Sequence, residues 1–310
     1  DSTTGDYYYG IKVSPNYDKS MSNVHILNNI VYNTLRSGIA LYPSNYLVTT
    51  NVLSNALVRG NEVYNAGRDT TSAGGGITVK NEVRDSVIEF NYLHNNSGPG
   101  ADALSGGLSG GPYCNAPYNL HIRYNSITDN GNSIYRTANW SAGIMFGGAS
   151  LIDGGFNNGD VKVYGNLIYK NNAHGVVIKN TMAGTNSIKI YNNTFYDNNV
   201  LAGGGAFLVD NVGGTFSALE FKNNLIYNKN DSSTYCVYDI ASKITSHSNN
   251  IYYNPATGSG VNLIYNNGVS IPRSSISSYE STAQVNNPNF KNVSNLPMRF
   301  TGTYGIDMVP

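Results

Sequence analysis

Ile188-Lys189-Ile190-Tyr191-Asn192-Asn193-Thr194-Phe195-Tyr196-Asp197-Asn198 sets the pattern for most of the chain. Apolar and polar residues alternate up to Ile190, a pair of asparagines turns the chain, and a second short run follows. Successive strand side chains point to opposite faces, so Ile188, Ile190 and Phe195 fall on a buried side. Tyr196 then faces outward, and Asn193 occupies the corner between two strands.

The unit recurs. Taking the last Asn of each turn as anchor gives Asn29, Asn61, Asn91, Asn125, Asn166, Asn193, Asn224 and Asn250, at intervals of 32, 30, 34, 41, 27, 31 and 26 residues. Three residues before the anchors stand Ile26, Val58, Ile88, Ile122, Val163, Ile190, Phe221 and His247. Two residues after them stand Val31, Val63, Leu93, Ile127, Ile168, Phe195, Ile226 and Tyr252. A fixed self-similarity of this length is the mark of a solenoid, in which stacked repeats bury a core that no single repeat can bury. Each repeat carries three strand-like pieces, for example Val161 to Tyr164, Leu167 to Tyr169 and Val176 to Ile178. Helical periodicity is absent, and the density of Gly and Asn opposes helices. The turn Asn tolerates a left-handed backbone, and its amide can both donate to and accept from the same Asn one coil away. An Asn ladder is therefore expected.

The repeats Asn28-Asn29-Ile30-Val31-Tyr32-Asn33 and Asn223-Asn224-Leu225-Ile226-Tyr227-Asn228 resemble the parallel β-helix repeat of the pectate-lyase-like superfamily. The resemblance covers roughly residues 20–267. It implies an all-β, right-handed parallel β-helix of about eight or more coils, with long loops on one side. Residues 1–267 are expected to form the β-helix, with Tyr7 to Val13 as a strand of a preceding coil. Residues 268–310, interrupted by Pro272, Pro288 and Pro297, are expected as an irregular segment packed on the last coil.

A net charge of +0 with 12% charged residues gives no broad attraction for nucleic acid or anionic membrane. No apolar run reaches the roughly 18 residues that span a bilayer. Low charge with 25 Tyr and 34 Gly suits an extracellular or cell-surface protein, expected as a monomer, facing neutral or weakly charged polymers. Cys114 and Cys236 lie several repeats apart and read as two free thiols, outside any zinc-binding cluster.

The resemblance implies an active site over one sheet, in a cleft walled by loops. The corresponding strands are residues 38–41, 76–79, 143–146, 175–178 and 206–209. The longest interruptions of the repeat, Ser97 to Tyr118 and Gly131 to Gly159, flank them on neighbouring coils, and long loops on a rigid scaffold carry function more often than the scaffold does. In a lyase, a lysine such as Lys179 could abstract the proton α to a uronate carboxylate while acidic residues hold calcium, which takes six to eight oxygens, and Asp210 and Asp102 are candidate catalytic carboxylates beside it. The plain alternative is a cross-strand salt bridge between Lys179 and Asp210. A glycoside hydrolase needs two carboxylates flanking the bond, and Asp102 with Asp153 is the best pair. The alternative there is two carboxylates capping turns. The crowded carboxylates of a calcium-dependent lyase are absent, as is the Asn-Thr-Asp, Asp-Asp and Gly-His-Gly set of the polygalacturonase-like branch. Lys80, Arg136, Trp140 and Tyr113 are candidate sugar contacts by charge, hydrogen bonding and ring stacking. His174 is expected at the surface.

A second surface is the outward column Tyr32, Tyr64, His94, Thr128, Tyr169, Tyr196, Tyr227 and Tyr253, which either stacks on itself or docks a polysaccharide. Two functions therefore stand side by side. One is a polysaccharide lyase or glycoside hydrolase, and the other a non-catalytic polysaccharide-binding or adhesin domain of a larger surface protein.

Overall fold

A computed structural model describes residues 9–15, 19–43, 51–68, 74–80, 82–98, 100–103, 117–131, 142–146, 159–179, 186–198, 204–210, 216–228 and 231–290, with the backbone alone at 101–103, 179 and 186. The alternating runs form short strands that pair in parallel from coil to coil in a right-handed β-solenoid. One 8-stranded sheet precedes the Asn turn and runs from His25–Leu27 to Ser246–Ser248. A second 8-stranded sheet follows the turn and runs from Ile30–Tyr32 to Ile251–Tyr253. The third sheet has 10 strands, from Ile11–Val13 to Val269–Pro272, and a small 3-stranded sheet lines one corner. Only the last strand of the ten-stranded sheet runs antiparallel, against Asn262–Asn266.

Both expected core columns stack in register. Val58, Ile88, Ile122, Val163, Ile190 and Phe221 lie at 0–1% exposure, and Val63, Leu93, Ile127, Ile168, Phe195, Ile226 and Tyr252 at 0%. His247 alone leaves the first column partly open. The corner between these sheets holds the ladder. From Asn29 to Asn224, each Nδ2 donates to Oδ1 of the next anchor at 2.9–3.2 Å. The same Oδ1 also accepts the backbone N–H of the previous anchor. From Asn61 on, Nδ2 reaches back to a core-column carbonyl of the preceding coil, such as Ile26 O or Ile88 O. The buried amide is thus satisfied on both sides.

Three details depart from the sequence reading. First, the left-handed residue is not the anchor but the one before it, with φ of 56° at Asn28, 54° at Phe90 and Tyr124, and 67° at Gly60. The anchor is Asn for its hydrogen bonds, not its backbone. Second, a further Asn ladder joins Asn96, Asn130, Asn171 and Asn198 at 2.8–3.1 Å at the next corner. Third, Gly143 within the ten-stranded sheet answers a packing demand that the sequence reading did not address. A Cβ on Gly143 would lie 2.7 Å from both Gly175 O and Ile168 Cγ2.

The last coil is sealed by the segment that follows it. Glu280, at 3% exposure, takes the next ladder position. Its Oε1 accepts the Asn250 backbone N–H at 2.8 Å, and Oε2 accepts Asn250 Nδ2 at 2.9 Å and the Tyr252 hydroxyl at 2.8 Å. His247 stands 3.6 Å away, at ion-pair distance, stacked on Tyr279 with ring centroids 4.1 Å apart. Phe290 then packs on Tyr196 and Tyr227 at 5.2 and 5.8 Å. The outward tyrosine column is accordingly divided. Tyr169 and Tyr196 are buried, at 5% and 8% exposure, whereas Tyr32 is 53% exposed. Cys236 is a buried free thiol whose ionisation burial pushes up; Cys114 lies outside the described residues.

Two predictions follow from the ladder. Asn125→Ala strands the Asn91 donors and the Ile88 carbonyl, each stranded group costing about 1–3 kcal/mol, so the denaturant midpoint should fall clearly, and an unchanged midpoint would contradict the account. Burial alone would raise the Glu280 carboxyl, but His247, Asn250 and Tyr252 outweigh it and hold it below the ordinary value. Its contribution is therefore full above the unfolded carboxylate value and is lost as pH falls through the depressed folded one. Glu280→Gln should be less stable at pH 7 and show a shallower loss on acidification, measured by thermal unfolding between pH 7 and pH 3.

Candidate functional site

The outer face of the ten-stranded sheet is built by one continuous register. Lys12, Ala40, Thr78, Asp102, Met145, Val177, Leu208, Tyr238 and Tyr265 face one another from strand to strand. The middle of this column is apolar and covered, with Met145 at 1%, Val177 at 0% and Leu208 at 5% exposure. These side chains form a small cluster outside the main core, against which Tyr238 packs. Polar and aromatic groups therefore collect at the two ends of the face.

At the C-terminal end the backbone places Lys179 opposite Asp210. Beside Asp210, Tyr238 and Tyr265 stack with centroids 4.3 Å apart and planes 7° from parallel, and Tyr235 meets both edge-on at 5.4 and 5.7 Å. The Tyr238 hydroxyl is held above its ordinary ionisation range by burial first, then by Tyr265, Tyr235 and the Asp210 charge. The Tyr238 phenol therefore stays neutral at physiological pH. At the N-terminal end Lys80 lies over Tyr42, its Nζ 5.0 Å from the ring centroid.

Of the candidates from the sequence, Asp102 stands in the outward column between Thr78 and Met145, with its backbone alone described. Three strand steps of about 4.8 Å, about 14 Å in all, separate its strand from that of Asp210, wider than the roughly 5–9.5 Å between the carboxyls of a glycosidase. Asp153, Arg136, Trp140 and Tyr113 lie outside the described residues. Among the described residues no three His, Cys, Asp or Glu side chains converge as metal ligands. His174, expected at the surface, is buried at 3% exposure with Nδ1 2.7 Å from Gly205 O. It sits at the strand entry opposite Ala142, and its contact with the next coil's Gly205 carbonyl keeps the ring covered.

A polar network on the pre-turn sheet was not anticipated. Glu89, 3% exposed, accepts from Arg123 Nε at 2.6 Å and lies 3.7 Å from Arg59. Arg123 Nη1 donates to the Tyr164 hydroxyl at 2.9 Å, which lies 3.1 Å from His121 Nδ1; His121 Nε2 is 3.1 Å from Asn119 Oδ1. Burial, then Lys162 and Arg123, lower the His121 basicity, so the ring is neutral near pH 7. It then accepts from Tyr164 and donates to Asn119. Asn119 in turn donates to Asp85 at 2.9 Å. Every group in this chain spends its hydrogen bonds on a neighbour, which describes a structural network better than a poised catalyst. Alternation already sent these residues outward in the sequence; what it could not give was which of them meet across coils.

A family model described as "Right handed beta helix region" matches residues 9–239. The chain belongs to this right-handed β-helix family. Among solved structures, it is similar to the A-module of a mannuronan C-5 epimerase from Azotobacter vinelandii, at 16% identity and a TM-score of 0.53. The alignment covers 86% of this chain and 57% of that one, and at this identity the likeness is one of fold. No curated protein matches the chain. Among the described residues of this β-helix, no helix is long and apolar enough to cross a membrane.

If the pre-turn network is structural, Glu89→Ala should lower stability by about 1–3 kcal/mol, because Arg59 and Arg123 lose a nearly buried partner. Its retention on any polysaccharide that the intact protein binds should be unchanged at temperatures well below unfolding.

Proposed function

We propose that this β-helix recognises an extended polysaccharide on the outer face of its ten-stranded sheet, as a monomer outside the cell or at its surface. The observation that carries this reading is the Tyr238–Tyr265 stack with Tyr235 at its edge, placed beside Asp210 and the registered Lys179. A sugar ring offers a C–H face and a rim of hydroxyls. Flat phenols take the face, and a carboxylate and an ammonium group take the rim. The low overall charge supports it, because such a surface holds a polymer by many short-range contacts rather than by a long-range field. The structural neighbour supports it through its name, which states an action on mannuronan.

The register of Lys179 against Asp210 also favours a second reading, cleavage of the bound polymer by a lyase or hydrolase route. There Lys179 is the candidate base, Asp102, Asp153 and Asp210 are the candidate carboxylates, and Lys80, Arg136, Trp140 and Tyr113 are further sugar contacts. Calcium would be needed only on the lyase route, and a single described carboxylate does not satisfy its six to eight oxygens.

The two readings separate in one experiment. The protein is run through gels containing a panel of polysaccharides, with calcium and with chelator, and the same mixtures are assayed for reducing ends and for ultraviolet absorbance of unsaturated products. Retention without products supports recognition, and products support cleavage. Replacing both rings, Tyr238→Ala with Tyr265→Ala, should weaken retention about tenfold, since each ring contact is worth about 0.5–1.5 kcal/mol. Tyr32→Ala, on a different face, should leave it unchanged. Absence of retention on every polymer would overturn the proposal.

A further inference from the structure

The N-terminal end of the same outer face gathers two cations on one ring. Lys12 stands in the outward column opposite Ala40. The next outward positions belong to Tyr42 and Lys80, which stay in the parallel ladder because Tyr42 N–H donates to Val13 O at 2.9 Å and Lys80 N–H to Leu41 O at 3.0 Å. The Lys12 and Lys80 ammonium groups lie 5.4 and 5.0 Å from the Tyr42 ring centroid, and Lys12 also lies 5.3 Å from that of Tyr9. A phenol ring attracts a cation through its electron-rich face, so Tyr42 holds both side chains in place. It does nothing to cancel their mutual repulsion. Among the described residues neither ammonium has a carboxylate within ion-pair distance.

Elsewhere among the described residues, charges that face one another across coils meet carboxylates, and even the facing Lys162 and Lys189 turn to Asp160 and Glu220. Arg59 and Arg123 bracket Glu89, and Lys189 and Lys222 meet Glu220. The Lys12–Tyr42–Lys80 group departs from that rule on the one face read above as a polymer surface. Lys12 is exposed and Lys80 half-buried, so both ammonium groups keep hydrogens for an outside acceptor. A net charge of +0 argues against a long polyanion drawn in by the whole molecule. A pair of local cations instead suits one anionic group at a fixed place along a chain.

We propose that Lys12 and Lys80, ordered by Tyr42, form a subsite for an anionic sugar residue, its carboxylate or sulfate ester accepting from the ammonium groups beside the ring. The subsite lies about six coil steps from Tyr238, roughly 30 Å, across the covered middle of the face, so it is a contact point separate from the tyrosine stack. This inference rests on the reading of that face as a polysaccharide surface.

The test uses the full chain and matched polymers that differ only in charge. These are a polyuronate with its methyl ester, and a sulfated glycan with its desulfated form, compared by affinity electrophoresis at low and high salt. The intact protein should prefer a charged member about tenfold, with the preference fading as salt screens it. The pair that shows the preference identifies carboxylate or sulfate as the group bound. Lys12→Ala should weaken the preference while retention on the uncharged polymer persists, and Lys12→Ala with Lys80→Ala should abolish the preference. Lys12→Arg with Lys80→Arg should keep it, and thermal unfolding should show these variants folded. Retention on the polymers with no preference for charge, or a preference that survives the double alanine variant, overturns the subsite and leaves the parent reading standing. Absence of retention on any polymer overturns both.

Discussion

Each coil must present the next with an interchangeable corner, and the buried asparagine amide supplies it. An Asn side chain carries an acceptor and two donors in one plane, so it can accept from the coil before it while donating to the coil after it. Neither Ser nor Asp can do both at once with the same geometry. Because each anchor also binds the previous coil's core-column carbonyl, the ladder fixes the register of the strands on both sides of the turn. Spacings between bonded anchors range from 26 to 41 residues without disturbing this. The corner is repeated strictly, and length variation is exported to the loops.

A ladder of this kind is open at its ends, where an amide would be left half-bonded in a nonpolar setting. Glu280 closes the C-terminal end by offering two carboxylate oxygens where the next Asn would offer one, and it collects the Tyr252 hydroxyl as well. The core column changes in step. His247 replaces an aliphatic residue beside that carboxylate, and Tyr252, large and fully buried, brings its hydroxyl to it. The last coil is therefore a modified copy of the others rather than a degraded one. The same closing segment carries Phe290 across Tyr196 and Tyr227, leaving Tyr196 buried and Tyr227 half-buried.

The parts of the fold that repeat were legible because repetition leaves a signal in every coil. The anchors Asn29 to Asn250 and both core columns could be read from spacing and alternation alone. Features that several residue types can satisfy left weaker traces. The left-handed corner accepts Asn28, Gly60, Phe90 and Tyr124, and so hid beside the more uniform anchor. The second Asn ladder begins only at Asn96, since Ala66 occupies the equivalent position one coil earlier and joins through its backbone N–H alone. The candidate site was less legible still. Alternation assigns Lys80, Lys179 and Asp210 to an outward face. It does not reveal that Met145, Val177 and Leu208 divide that face, or that Tyr238 and Tyr265 stack. Those facts depend on register between residues about 30 positions apart.

In a parallel stack, the neighbour of an outward side chain is the residue at the same place in the next coil. Whatever a column contains, it must tolerate at close to 4.8 Å spacing. Rings meet this demand with their own kind, as Tyr32 with Tyr64 at 5.2 Å and Tyr164 with Tyr191 at 5.0 Å show. Charges do not, so they either alternate in sign, as Arg59, Glu89 and Arg123 do, or turn aside to a carboxylate, as the facing Lys162 and Lys189 do toward Asp160 and Glu220. An outward aromatic stack such as Tyr238 on Tyr265 is therefore held in place before any ligand arrives, and so is a balanced ionic column. The diagnostic case is a pair of like charges that the stack leaves uncompensated. Lys12 and Lys80 around Tyr42 are such a pair among the described residues, on an outer face whose far end is aromatic, where an anionic partner from outside completes the balance that the chain does not.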